Sequence, residues 1–115
     1  MRPAVMIYLK GEMQMSLNLQ EKNGCRLKMS QIEAFCTVIQ TGSISEAARL
    51  CHITQPAVSM QVRDLEQYCQ QRLLKRSNKG VTPTPAGLVV YEYCRKIMHL
   101  RQDLHLELKM FKQTP

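Results

Sequence analysis

The sequence has no tryptophan and only two phenylalanines among its 115 residues. Because 44% of the residues are hydrophobic, a packed core is still possible, and it must be built mainly from aliphatic side chains. No apolar run approaches the roughly 18–20 residues of a transmembrane helix. The short apolar stretch 3–9 is interrupted by Lys10 and has no small-residue cleavage site, so we predict neither a membrane span nor a signal peptide.

Paired ligands and catalytic groupings are also lacking. The cysteines number five and include no Cys-x-x-Cys pair, and the three histidines fit no metal spacing. We therefore predict free thiols, no metal and no cofactor. The sequence has no phosphate-cradling glycine loop and no Ser/His/Asp or Cys/His grouping on adjacent elements, so we predict that the chain is not an enzyme.

Acidic residues are absent between Glu66 and Glu92, in a chain of net charge +7. Four basic residues fall in that gap: Arg72, Lys75, Arg76 and Lys79. A local cluster of positive charge on a small domain favours an anionic partner, either nucleic acid or an anionic membrane surface.

The first 28 residues show no sustained hydrophobic period and contain an Asn23-Gly24 turn signal. We expect a loosely ordered extension over 1–28. Recognisable patterning starts at Ser30, which suggests the further hypothesis that translation begins at Met29 in the native protein.

From Ser30 the pattern becomes helical. Ser30 and Glu33 predict a capping box, and Gly42 predicts the end of this first helix. Ser43 and Glu46 predict a second capping box, which opens a short helix over 44–50.

A break at 51–53 separates this short helix from a third helix, which we expect to begin at Thr54 and to run for about twelve residues. Pro56 is tolerated in the first helical turn, where its missing N–H would have no partner. Val58, Val62 and Leu65 form the inward stripe. The outer side of the first turns is small or carries amides, which suits close contact with another surface.

Residues 73–83 contain two short extended runs around an Asn-x-Gly turn and predict a β-hairpin. Thr84 predicts the cap of a last helix that runs to about Lys112. Apolar residues recur along it every seven positions, at Val90, Ile97, Leu104 and Phe111, and further apolar residues lie beside them: Tyr93, Cys94, Leu100 and Leu108. So long a helix cannot bury this stripe on a small domain, so we expect it to pair with a second copy.

The predicted fold is mainly α with a small β-hairpin: a winged helix-turn-helix followed by a long dimerisation helix. We expect the winged domain over 29–83, with the helix-turn-helix at about 43–62 and the wing at about 73–83. The linker or dimerisation helix then occupies 84–115.

In a winged helix-turn-helix the second helix of the pair enters the major groove of DNA. Gln55 can bond an adenine edge with both amide atoms, and Pro56 or Ala57 can touch a thymine methyl group. Ser59, Gln61 and Arg63 follow one to two turns later, where phosphate contacts are expected. The helix N-termini after Ser43 and Thr54 also suit phosphate.

Residues 29–87 resemble the N-terminal DNA-binding domain of LysR-type transcriptional regulators. The segments that carry the resemblance occur in the family's order: MSQIEAF (29–35), GSISEAA (42–48), TQPAVS (54–59), LE (65–66), LLKR (73–76), GV (80–81) and TPAG (84–87). The last helix is similar to the family's linker helix, which pairs antiparallel in the dimer.

The resemblance implies a cytoplasmic, nucleoid-associated bacterial regulator whose homodimer reads an interrupted inverted repeat in double-stranded promoter DNA. The base-reading candidates are Gln55, Pro56, Ala57, Ser59 and Met60. The phosphate candidates are Ser43, Ser45, Thr54, Gln61, Arg63, Lys75, Arg76 and Lys79.

Three departures from the family pattern matter. Met60 stands where arginine is frequent, which leaves that base contact open. Gln70 stands where glycine usually ends the reading helix, so we expect an altered turn into the wing. The chain ends at Pro115, so we expect no small-molecule effector site within it. The alternative to DNA is a winged helix that binds protein or RNA.

Overall fold

The computed structural model describes residues 26–112. In that range the chain forms α1 (Met29–Thr41), α2 (Ile44–Cys51), α3 (Gln55–Cys69), β1 (Leu74–Ser77), β2 (Gly80–Pro83) and α4 (Pro85–Lys112). The predicted fold class, mainly α with a small β-hairpin, is confirmed. The predictions for the extension 1–28 lie outside the described residues, except that 26–28 precede α1.

The predicted capping box at Ser30 and Glu33 is wrong. Helix α1 begins at Met29 after Lys28, whose amide donates to the side-chain oxygen of Gln31 at 3.0 Å. Neither predicted partner serves the helix end: the Ser30 hydroxyl bonds a residue of α3, and the Glu33 carboxylate forms an ion pair with Arg101 of α4. Both side chains that the local pattern predicts as a cap instead contact residues that are distant in the sequence.

The caps of the next two helices lie where we predicted them. The Ser43 hydroxyl accepts from the amide of Glu46 at 3.1 Å, and the Thr54 hydroxyl accepts from the amide of Ala57 at 3.2 Å. Helix α2 extends one residue beyond the predicted end at Leu50, and α3 has 15 residues rather than the expected twelve. Each cap satisfies a helix amide that would otherwise lack a partner, and is typically worth about 1 kcal/mol.

Two helices end on residues other than glycine in the left-handed conformation. His52 after α2 has φ 59°, and Gln70 after α3 has φ 55°. Gln70 therefore adopts the backbone conformation that glycine favours at this position, and the expected alteration of the turn is not seen.

The core lies between α1, α3 and the chain leading into the wing. Its largest fully buried side chains are Phe35, Leu65, Leu73, Val38 and Val58. Ala47 and Ala48 are also buried, which lets α2 approach α1 and α3 closely. Cys36 and Cys94 lie in the same core, and the described cysteines are all free thiols.

The wing is an antiparallel pair in which Leu74 faces Pro83 and Ser77 faces Gly80. It is attached to the helix-turn-helix by a backbone hydrogen bond of 3.1 Å from the Val81 amide to the Gly42 carbonyl. Gly80 is needed at this contact, because it has φ 121° and a Cβ there would lie 2.7 Å from the Gly42 oxygen. The wing tip is thereby fixed beside the start of α2.

Helix α4 is fixed to the base of the wing by Thr84. Its hydroxyl donates to the Arg72 carbonyl at 2.6 Å and accepts from the Gly87 amide at 2.9 Å, while its own amide donates to the Leu73 carbonyl at 3.0 Å. Gly87 packs so closely that a Cβ would lie 2.1 Å from the Leu73 oxygen. The direction of the long helix is therefore set by the domain from which it emerges.

Candidate nucleic-acid interface

The first turn of α3 is exposed to solvent. Thr54, Gln55 and Pro56 all lie at the surface, and the side chain of Met60 follows on the next turn with 59% of its area exposed. On its opposite side α3 buries Val58 against the core. The major groove is about 12 Å wide. A helix that packs on the core through one face and has small side chains at its exposed N-terminal turn can enter it.

One concave surface of about 490 Å³ joins this turn to the wing and to the start of α2. It brings together five of the predicted DNA-contacting residues: Ser43, Ser45, Gln55, Arg76 and Lys79. Residues far apart in the sequence thus meet beside one helix end. We name this surface the wing cradle.

The α2 side of the wing cradle offers hydroxyl groups at a helix N-terminus. Ser43 Oγ and Ser45 Oγ lie 3.1 Å apart, so one hydroxyl donates to the other. The N-terminal end of a helix carries partial positive charge, which favours an anion such as phosphate.

The carboxylate of Glu46 in α2 forms an ion pair with Arg49 of the same helix. The Arg49 guanidinium donates a hydrogen bond to Glu46 and lowers the pKa of that carboxyl. Both side chains are well exposed, so this ion pair adds little stability. It does compensate the negative charge that lies one turn from Ser43.

A second concave surface, of about 760 Å³, lies between α3 and β1. It contains Ser59 and Arg63 from the predicted set, and Arg76 borders it as well as the wing cradle. Glu66 contributes a carboxylate here, but its Oε2 accepts from the amides of Leu73 at 2.8 Å and Leu74 at 3.3 Å. The carboxylate therefore links α3 to the wing.

The remaining predicted contacts do not line these two surfaces. Gln61 lies on the α1 side of α3, where its side-chain oxygen accepts from Ser30 Oγ at 3.2 Å. Lys75 is exposed on β1, and Ala57 is half-buried in the first turn of α3. The predicted DNA-binding residues thus form a central group around Gln55 and Arg76, with Gln61 and Lys75 at its margins.

The predicted dimer stripe divides into two parts along α4. Leu104, Leu108 and Phe111 are exposed, with Phe111 at 76%. Val90 and Ile97 are half-buried and pack against the core of their own chain. Cys94 lies beside the predicted stripe in the sequence pattern but is buried in that core, where the Cys36 thiol and burial raise its pKa.

Sequence reasoning missed several residues at these surfaces. Val89 adds exposed apolar area to the predicted dimer stripe, called the α4 stripe below, and Ser77 and Asn78 complete the wing cradle. The link from Glu66 to the wing was missed as well. The available signal was that Glu66 is the last acidic residue before the segment 67–91, which has no carboxylate side chain.

Two other features, a metal site and a membrane-spanning helix, are absent from the described residues. Among residues 26–112, no group of three or more His, Cys, Asp or Glu side chains is placed to hold a metal ion. Within the same range, no helix is both long and apolar enough to cross a membrane.

Comparisons of the sequence and of the structure with known proteins both identify helix-turn-helix DNA-binding domains as similar to this chain. Residues 29–88 match the family described as "Bacterial regulatory helix-turn-helix protein, lysR family". The chain is 36% identical over 88 residues to the nitrogen assimilation regulatory protein nac of Klebsiella aerogenes, covering 76% of this chain and 29% of that protein. The chain thus spans less than a third of the length of that relative.

Two solved DNA complexes share the architecture. The DNA-binding domain of BenM with catB site 1 DNA superposes with a TM-score of 0.73 at 26% identity, covering 77% of this chain and 99% of that one. The CbnR DNA-binding domain in its DNA complex gives a TM-score of 0.69 at 28% identity, covering 76% of this chain and all of that one, 100%. The winged helix-turn-helix and the long helix after it are therefore the architecture of these domains. The chain belongs to the lysR family of bacterial regulatory helix-turn-helix proteins.

Proposed function

We propose that this chain binds double-stranded promoter DNA sequence-specifically and regulates transcription. The wing cradle is the observation that carries the proposal, because it places Gln55 of the reading turn beside Arg76 and Lys79 of the wing and Ser43 of α2. An amide that can bond adenine stands next to groups that neutralise phosphate. The DNA complexes of BenM and CbnR, which have the same fold, support it.

The proposed contacts combine the candidates from the sequence with their positions around α3 and the wing. We assign the base contacts to five residues near the start of α3: Gln55, Pro56, Ala57, Ser59 and Met60. We assign the phosphate contacts to residues around them: Ser43, Ser45, Thr54, Gln61, Arg63, Lys75, Arg76 and Lys79. Phosphate contacts set register and affinity, while base contacts set the preference between sequences.

The chain acts as a homodimer through α4. Leu104 and Phe111 are exposed on a helix of 28 residues, which at 1.5 Å per residue is about 42 Å long. Pairing of two such helices covers the stripe and holds two reading helices at a fixed separation, as an inverted repeat requires. The cell compartment that fits this role is the bacterial cytoplasm, at the nucleoid.

Binding to selected DNA, random DNA and RNA over a series of salt concentrations tests the proposal. A bound duplex is first selected from a random library with the full chain. We expect steep salt dependence for all DNA, because counterions are released from neutralised phosphates, and a preference for the selected duplex of about a thousandfold or more. Equal affinity for RNA, or no selected sequence, would instead favour the RNA-binding or protein-binding winged helix.

A further inference from the structure

Met60 is a large apolar side chain exposed on the reading helix. With 59% of its area accessible, it makes little use of the protein's own core. Val58 and Val62, two residues before and after it, are buried. The exposure of Met60 is therefore a consequence of helical geometry and not of a loose helix end.

The exposed residues that share its face of α3 are Pro56, Arg63 and Gln67, and the half-buried Asp64 lies beside them, four residues after Met60. The spacings of four, three and four between the exposed residues place them on one side of a helix with 3.6 residues per turn. They lie opposite the buried Val58 and Leu65. Met60 thus stands in the middle of the outward face, one turn after Pro56, and is the first long side chain on it.

The chemistry of Met60 limits what it can recognise in a groove. Its thioether is a weak acceptor and has no donor, so it cannot replace an amide or a guanidinium at a base edge. The major groove exposes one apolar group, the C5-methyl of thymine. A flexible, polarisable side chain gains from contact with that methyl by removing apolar surface from water.

We propose that Met60 is a specificity residue that selects a thymine C5-methyl group in each half-site, next to the bases contacted through Gln55. This inference rests on the proposed function, since it requires α3 to lie in the major groove. Because its neighbours Arg63 and Gln67 are charged and polar, this face of α3 does not suit a large apolar partner surface. The methyl contact gives the reading turn a preference that Gln55 alone does not supply.

Methyl deletion in the DNA tests this directly. Each thymine of the selected duplex is replaced singly by deoxyuridine, which removes the methyl and keeps the O4 acceptor. For the unaltered chain we expect one position per half-site at which the Kd rises about fourfold, the effect of burying one methyl-sized group. With Met60→Ala that difference between thymine and deoxyuridine disappears, and with Met60→Leu it is largely kept.

Gln55→Ala is the matched control, because it weakens binding but leaves the response to the methyl at that position unchanged. Thermal unfolding of each variant checks folding, which substitution of an exposed side chain leaves intact. If Met60→Ala retains the full methyl response, or if no thymine responds, the inference about Met60 is wrong. Failure to select any DNA sequence would instead overturn the proposed function, so the two failures are distinguishable.

Discussion

The amide of Val81 in the wing donates a hydrogen bond to the carbonyl of Gly42, the residue that ends α1, over 3.1 Å. This bond fixes the hairpin against the turn that precedes α2. It is the reason that Lys79 and Ser43, 36 positions apart in the sequence, border the same wing cradle. The orientation of the wing is therefore a property of the backbone contact between Gly42, Gly80 and Val81.

We predict that alanine has unequal effects at the two glycines of this contact. Gly80→Ala meets the Gly42 oxygen at 2.7 Å and also strains a backbone with φ 121°, so we expect a loss of about 2–3 kcal/mol of unfolding free energy. Gly42→Ala meets its nearest atom at an ordinary 3.8 Å and bears backbone strain alone, about 1 kcal/mol. Urea denaturation of both variants measures the difference. Equal losses would show that the close approach of Gly80 to Gly42 is not a constraint.

Gln70→Gly should stabilise the protein. Gln70 holds φ 55° at the end of α3, a conformation that costs other residues about 1–2 kcal/mol and glycine almost nothing. Part of this gain is offset by the greater freedom of glycine in the unfolded chain, which leaves about 0.5–1 kcal/mol. The control is Gln71→Gly at the next residue, where φ is not positive, and no gain is expected. A stability curve in which both glycine variants fall below the parent would contradict this.

Much of the fold could be predicted because its signals are local. The caps at Ser43, Thr54 and Thr84 each bond an amide three residues later, and Gly42 takes the left-handed conformation that glycine favours. The cap of α1 could not be predicted in the same way. Ser30 looks like a local cap, but its hydroxyl bonds Gln61, 31 positions away, and Glu33 pairs with Arg101, 68 positions away.

The division of the α4 stripe into an exposed part and a half-buried part could not be predicted from the sequence either. A seven-residue period identifies an apolar face, but it does not show how much of that face the chain covers itself. Docking of α4 on α1, which brings Tyr91 beside Gln40 and Arg101 beside Glu33, half-buries Val90 and Ile97 and leaves Leu104 exposed. That division depends on tertiary packing.

We predict that Leu104→Asp yields monomers. Leu104 is 54% exposed within the α4 stripe, and a carboxylate there would have to be desolvated when a second copy covers it. Leu106→Asp is the matched control, because Leu106 is equally exposed at 53% but lies about 200° further around the helix. Light scattering at a concentration where the parent chain is dimeric distinguishes them. Dimers of Leu104→Asp, or monomers of Leu106→Asp, would place the interface elsewhere.

The most direct test of the central claim compares Gln55→Ala with Lys79→Ala on the selected duplex and on random DNA over a salt series. We expect Gln55→Ala to lose about 1–3 kcal/mol of preference for the selected duplex, with binding to random DNA hardly changed. We expect Lys79→Ala to weaken binding to every duplex alike and to reduce the salt slope by about one. If Gln55→Ala keeps its full sequence preference, the first turn of α3 does not read bases and the account is wrong.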